Sequence, residues 1–309
     1  MRLDQLAMPP FNTTLMGVLK GVLDYYDIEA SAPMVFGASG HAFLINIHKQ
    51  LCPSGPYCWN YIAFDRLIGN LGLERTDLGF YAPDSSKDAR RQVERKLREA
   101  LDEGVPCSVA NLENQLITGY DGYGFFTAQP WAPHVDFPPA RLSFGSWKEL
   151  GEVFHVNFYT FTKRRRADVR TTILDSLDYA VDLFRNPSAY SRKDYGIGPD
   201  AYANWKGAVK EHGSGHGNWW NATVWWECRN MASGYFTEIA RMYDDLREPA
   251  CELSTAYADI AGILGKLRDK ELDAGKKTEL LQQVEMMEQE AIEAVAAFAG
   301  VLRSRDEAQ

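Results

Sequence analysis

The side chains that could do chemistry are concentrated in a few short runs of the 309-residue chain. The first is Gly37-Ala-Ser-Gly-His41, with His48 seven residues on. On a helix the two imidazoles would share one face, which is half of a metal site. No clear third ligand accompanies them, so no metal and no cofactor is expected. For His41 a functional and a packing role both stay open, and Ser39 beside it is a candidate substrate contact. The second run is His212-Gly-Ser-Gly-His-Gly-Asn-Trp-Trp-Asn221. Its glycines let the backbone approach another surface, and the helix start that follows can take an anion or a carbonyl oxygen. His216, Asn218 and Trp219 are the contacts expected there. Trp219, Trp220, Trp225 and Trp226 cannot all face one side of a helix, so some wall a pocket or dock on the front of the chain. Cys52 and Cys58 bracket Pro53-Ser-Gly-Pro56, but no second pair completes a zinc site.

These runs sit in a mixed framework. Asn12, Thr13 or Thr14 can cap a helix whose apolar face is Leu15, Leu19, Val22 and Tyr26. A second helix is expected over Tyr61–Leu71, ending at Gly72, and a charged surface helix over Ser86–Glu103. A meander follows: strands at 105–110, 115–120 and 124–127, with a turn at Asp121-Gly122. A strand over 153–162 carries apolar residues on both faces and reads as buried on two sides. Beyond Arg166 only helical spacing is seen. Its last members, built on Leu253 to Leu267 and on Leu280 to Leu302, read as an antiparallel pair joined near Asp273-Ala-Gly275. The expected architecture is α+β: an α/β domain over 1–166 and an all-helical domain over 167–309.

Composition narrows the class. A net charge of −9 makes nucleic acid an unsuitable partner, whatever the local cluster Lys163-Arg-Arg-Arg166 suggests. No apolar run is long enough to span a bilayer, and Met1 to Pro10 lacks the pattern of a signal peptide. With five cysteines, an odd number without a framework, this reads as a cytoplasmic protein with reduced thiols.

The capped helix, the Tyr25-Tyr26 pair and Met34-Val-Phe-Gly-Ala-Ser-Gly40 resemble the front of the BtrH-type family of butirosin biosynthesis. Members of that family are similar to papain-like (C39-like) cysteine peptidases, and the type member is an acyltransferase. Gln115-Leu-Ile-Thr-Gly-Tyr-Asp121 and Gly124-Phe-Phe-Thr-Ala-Gln-Pro130 resemble the family's strand pair. Gly198-Pro-Asp-Ala-Tyr-Ala-Asn-Trp205 resembles its helical back half.

The resemblance implies a thiol at the helix start, a histidine on the strand and an acid or amide to orient it. Here the helix start holds Asn12-Thr13-Thr14, the histidine position falls at Glu113 or Asn114, and the orienting position is Gln129. Thiol chemistry at that location is excluded. Two readings follow. In one, the site is rebuilt for acyl transfer or amide hydrolysis: Glu113 is the acid/base, a hydroxyl of Thr13 or Thr14 the nucleophile, and His41, His216, Asn114 and Gln129 orient the substrate. In the other, catalysis is lost and the cleft only binds or scaffolds. Either reading expects a small amine- or amide-bearing metabolite, an acyl donor in the catalytic case, and leaves a homo-oligomer through the last two helices open.

Overall fold

A computed structural model describes residues 1–304. The chain divides into two compact units: 1–30 with 72–166, and 31–71 with 167 onward. The division at 166/167 coincides with the expected boundary. Residues 31–71 do not pack where the sequence reading put them; they belong to the helical unit.

The first unit is a six-stranded antiparallel sheet with two helices. The strand order is Leu73–Tyr81, Val156–Lys163, Cys107–Ala110, Asn114–Tyr120, Gly124–Thr127, Arg141–Ser143. The helix Thr14–Tyr25 packs on the strand Asn114–Tyr120 with Leu15, Met16, Val18, Leu19, Val22 and Leu23 buried. Gly21 permits that approach: a Cβ there would lie 2.7 Å from a Leu116 methyl and 2.2 Å from the Ala7 carbonyl. The helix Lys87–Asp102 is capped by Ser86, whose hydroxyl accepts from the Ala89 N–H, and it buries Val93, Leu97 and Leu101. Its Glu94 is buried too, and accepts from the Gly145 N–H at 2.6 Å and the Trp147 indole N–H at 2.9 Å. The Asp121-Gly122 turn forms as expected, with the Asp121 carboxylate accepting from the N–H groups of Tyr123 and Gly124.

One expectation is corrected in this unit, and two strands appear that the sequence reading did not include. The strand Val156–Lys163 is not buried on two sides: Val156 and Phe158 are buried, Asn157 and Tyr159 only half so, and Val153 lies outside it, exposed. The strand Leu73–Tyr81 carries no strand signal in the sequence, because Glu74, Arg75 and Asp77 give it no apolar alternation, and its register slips between Asp77 and Phe80. It forms an edge of the sheet, where charged residues are at home. The strand Arg141–Ser143 is too short to signal itself.

The second unit holds the helices Val169–Arg185, Pro199–His212, His216–Met242, Arg247–Lys266 and Ala274–Ser304, with the shorter Ala32–Ala38 and Ile62–Asn70. It is not all-helical, since Asn46–His48 pairs antiparallel with Tyr195–Ile197. At its centre the Arg229–Glu288 ion pair is buried. Arg229 also donates to the carbonyls of Ala42 and Leu44, both at 2.8 Å, which ties the 41–44 turn to the long helix. Gly37 sits against the face of Tyr235, where a Cβ would come within 2.1 Å of the ring.

Candidate functional site: the start of the first helix

In the first unit the structure brings Thr14 and Glu113 together. Thr13 stands at the N-cap position, but its side chain makes no cap bond, so the capping role expected of the Asn12–Thr14 run is not performed by Thr13. The helix is anchored differently. The Thr14 hydroxyl donates to the Glu113 carboxylate (Oε2) at 2.6 Å and accepts from the Asn114 backbone N–H at 3.0 Å. Glu113 closes a tight turn in which the Asn111 N–H donates to the Glu113 carbonyl at 3.0 Å, and this sets the carboxylate against the first helical residue. A helix N-terminus favours an anion there, because its free N–H groups and aligned peptide dipoles present partial positive charge.

The corner is closed. Thr13 and Thr14 are 0% exposed, Asn114 5% and Glu113 7%. Around it the chain is more open. Leu112, next to Glu113, is exposed, and Asn12 and Trp131 are half-buried. The Trp131 indole N–H donates to the Phe11 carbonyl at 3.3 Å, and its ring stacks on Phe137 at 6.5 Å. Gln129 does not orient Glu113 with its amide N–H groups: they donate to Asp136 at 2.8 Å and to the Pro138 carbonyl at 2.9 Å, holding the 130–138 loop.

The remaining candidates lie in the second unit, where Ser39, His41 and Asn218 are buried in its packing, Trp219 is half-buried and His216 is exposed. His41 is 1% exposed, stacked on Trp225 and edge-on to Trp59 and Phe64, with its Nδ1 3.6 Å from the Cys228 sulfur. Ser39 ends the Ala32–Ala38 helix, donating to the Phe36 carbonyl. His41 and His48 do not share a helical face, because a short 3-10 turn and then the strand Asn46–His48 separate them. Asn218 accepts from the Trp205 indole at 2.8 Å and donates to the Leu267 carbonyl at 2.9 Å, which makes it a core bridge rather than a substrate contact. His216 opens its helix, exposed, with its ring against Trp219 and Trp220. Gly217 meets the Leu51 carbonyl, 1.9 Å from where a Cβ would be. The close approach expected of this loop is therefore made to the 31–71 segment of its own unit. Among the described residues no cluster of three metal-ligating side chains occurs, and no helix is long and apolar enough to cross a membrane.

Burial also sets the charge of His41. Desolvation lowers its pKa to about 4, so the ring is neutral at physiological pH. The unfolded chain, with the ordinary histidine value near 6.5, binds more protons between those two values, so stability must fall as pH drops from about 6.5 to about 4. The full difference corresponds to roughly 3 kcal/mol. We expect urea unfolding at pH 4.5 and pH 7 to show a loss of about 2 kcal/mol that is much reduced in His41→Phe. An equal loss in both proteins would assign the pH dependence elsewhere.

No protein-family model matches the chain, and no curated protein matches it.

Proposed function

We propose that this is a non-catalytic recognition protein on a papain-like layout. The corner that would carry the chemistry serves as a structural clamp, and the rim around it takes a small amine- or amide-bearing metabolite. The observation that carries this reading is the state of the Thr14 hydroxyl. It is inaccessible, donates to Glu113 and accepts from the Asn114 N–H, so an incoming carbonyl carbon has no path to it. A nucleophile has to come within about 3 to 3.5 Å of the atom it attacks. The half-exposed rim offers the Trp131 ring for apolar contact, held by its indole N–H on the Phe11 carbonyl.

The second reading, a rebuilt acyltransferase or amidase, is favoured by one feature of the same geometry. A hydroxyl 2.6 Å from a carboxylate at a helix start is a nucleophile–base pair if the corner opens. In that case Glu113 would accept the Thr14 proton as the oxygen attacked the acyl carbon, and would return it to the departing group as the tetrahedral adduct collapsed to an ester on Thr14.

The recognition half is tested by fluorine NMR on protein labelled with 5-fluorotryptophan, the Trp131 resonance being assigned with Trp131→Phe. Titration with N-acetylputrescine and with putrescine should move the Trp131 signal before the other seven tryptophans. If Trp131 stays still while another tryptophan responds, the rim is not the binding site. If none responds to either compound, this ligand class is wrong.

A further inference from the structure

We infer that the groove between the helices Arg247–Lys266 and Ala274–Ser304 receives an amphipathic helix from a partner protein, one with an apolar stripe and basic flanks. The inference concerns the second unit alone and does not depend on the front corner. Both helices line the groove at helical spacing: positions 249, 252, 253, 256 and 259 on one, and 287, 290, 291, 294, 297, 298 and 301 on the other. Steps of three and four on two neighbouring helices describe a slot for a third. The groove has a volume of about 480 Å³. Its floor is Leu253, Ala291 and Phe298, each 3% exposed, and its wall includes the exposed small residues Ala294 and Ala297. Small side chains let a second backbone come close, as helix packing at about 8 to 10 Å requires. From 287 to 301 the lining runs roughly 21 Å at 1.5 Å per residue, the length of about four helical turns.

Charge selects the occupant. Glu252, Asp259 and Glu290 are exposed on the rim, and among the described residues no lysine or arginine lines the groove. A second copy docking through the same groove would set these carboxylates against their own counterparts, so self-association by this face is opposed. Lysine or arginine flanking an apolar stripe would meet them favourably.

The test uses the full-length protein and a fluorescein-labelled 18-residue peptide of leucine and lysine, with leucines spaced by three and four. A control peptide has the same composition with leucines distributed around the helix. The patterned peptide should give a saturable anisotropy rise, with the control at least about tenfold weaker. Ala294→Arg should weaken patterned binding by about tenfold or more, whereas Gln283→Arg, the same charge on another exposed position of that helix, should change it less than about twofold. Glu252→Gln combined with Glu290→Gln keeps the shape and should flatten the salt dependence of binding. Equal binding of the two peptides, or indifference to Ala294→Arg, would overturn the inference by reducing it to surface charge. A wild-type dimer in sedimentation that Ala294→Arg dissolves would overturn it in favour of a second copy.

Discussion

Arg229→Met should destabilise the protein by about 3 to 5 kcal/mol, the cost of leaving a buried carboxylate without its partner. Glu288 and Arg229 are 1% and 0% exposed, so neither can turn to water when the other is removed. The substitution also strips the Ala42 and Leu44 carbonyls of a charged donor, and so loosens the turn that carries His41. Glu288→Gln keeps an acceptor for the guanidinium but removes its countercharge, and should cost less, about 2 to 3 kcal/mol. The double variant Arg229→Met/Glu288→Leu removes both charges. It should be more stable than the sum of single losses predicts, because apolar side chains of similar volume replace a desolvated pair at little cost. Recovery will be partial, since the two carbonyls remain unserved. Urea unfolding of wild type, Arg229→Met, Glu288→Leu and the double variant closes the cycle and measures this. Strict additivity would mean that the pair is not coupled as its geometry states.

The second large effect belongs to the front corner. Thr14→Val is close to isosteric but removes the hydroxyl from both the Glu113 carboxylate and the Asn114 N–H. With all three groups nearly inaccessible, the expected loss is about 2 to 3 kcal/mol. Glu113→Gln keeps an acceptor oxygen for Thr14 and gives up the anion at the helix start, so it should cost about 1 kcal/mol. Thr14→Ser keeps the hydroxyl and should cost no more than about 1 kcal/mol. This ordering, Val worst and Ser mildest, is what a clamp requires. A nucleophile without a structural role would leave stability nearly unchanged in all three.

Local pattern made much of the first unit legible. The apolar spacing of Leu15, Leu19 and Val22 and the turn chemistry of Asp121-Gly122 act within a few residues, so the sequence displays them directly. Thr14 and Glu113 are 99 residues apart and were joined only through the family resemblance, because no local spacing links a helix start to a strand start. The placement of 31–71 was illegible for a related reason. Its apolar residues would suit any core, and nothing between Ala30 and Gly72 states which unit supplies it. At His41 the sequence leaves a functional and a packing role open, because Gly37-Ala-Ser-Gly-His41 could equally be a loop around a functional group. Gly37 instead accommodates Tyr235, and the imidazole fills an aromatic core. Arg229 and Glu288 gave no signal, since a single charge on a long helix ordinarily faces water. Only the surrounding Ala42 and Leu44 carbonyls show why these two do not.

The central claim, that Thr14 and Glu113 clamp the fold rather than transfer an acyl group, is tested most directly by intact-protein mass spectrometry after exposure to p-nitrophenyl acetate, comparing wild type, Thr14→Ser and Thr14→Val. The account predicts that Thr14 itself acquires no acetyl group, and that nitrophenolate release is the same for wild type and Thr14→Val. A stoichiometric acetyl adduct mapped to Thr14, with a release burst that Thr14→Val abolishes and Thr14→Ser preserves, would contradict it and establish the rebuilt nucleophile–base pair instead.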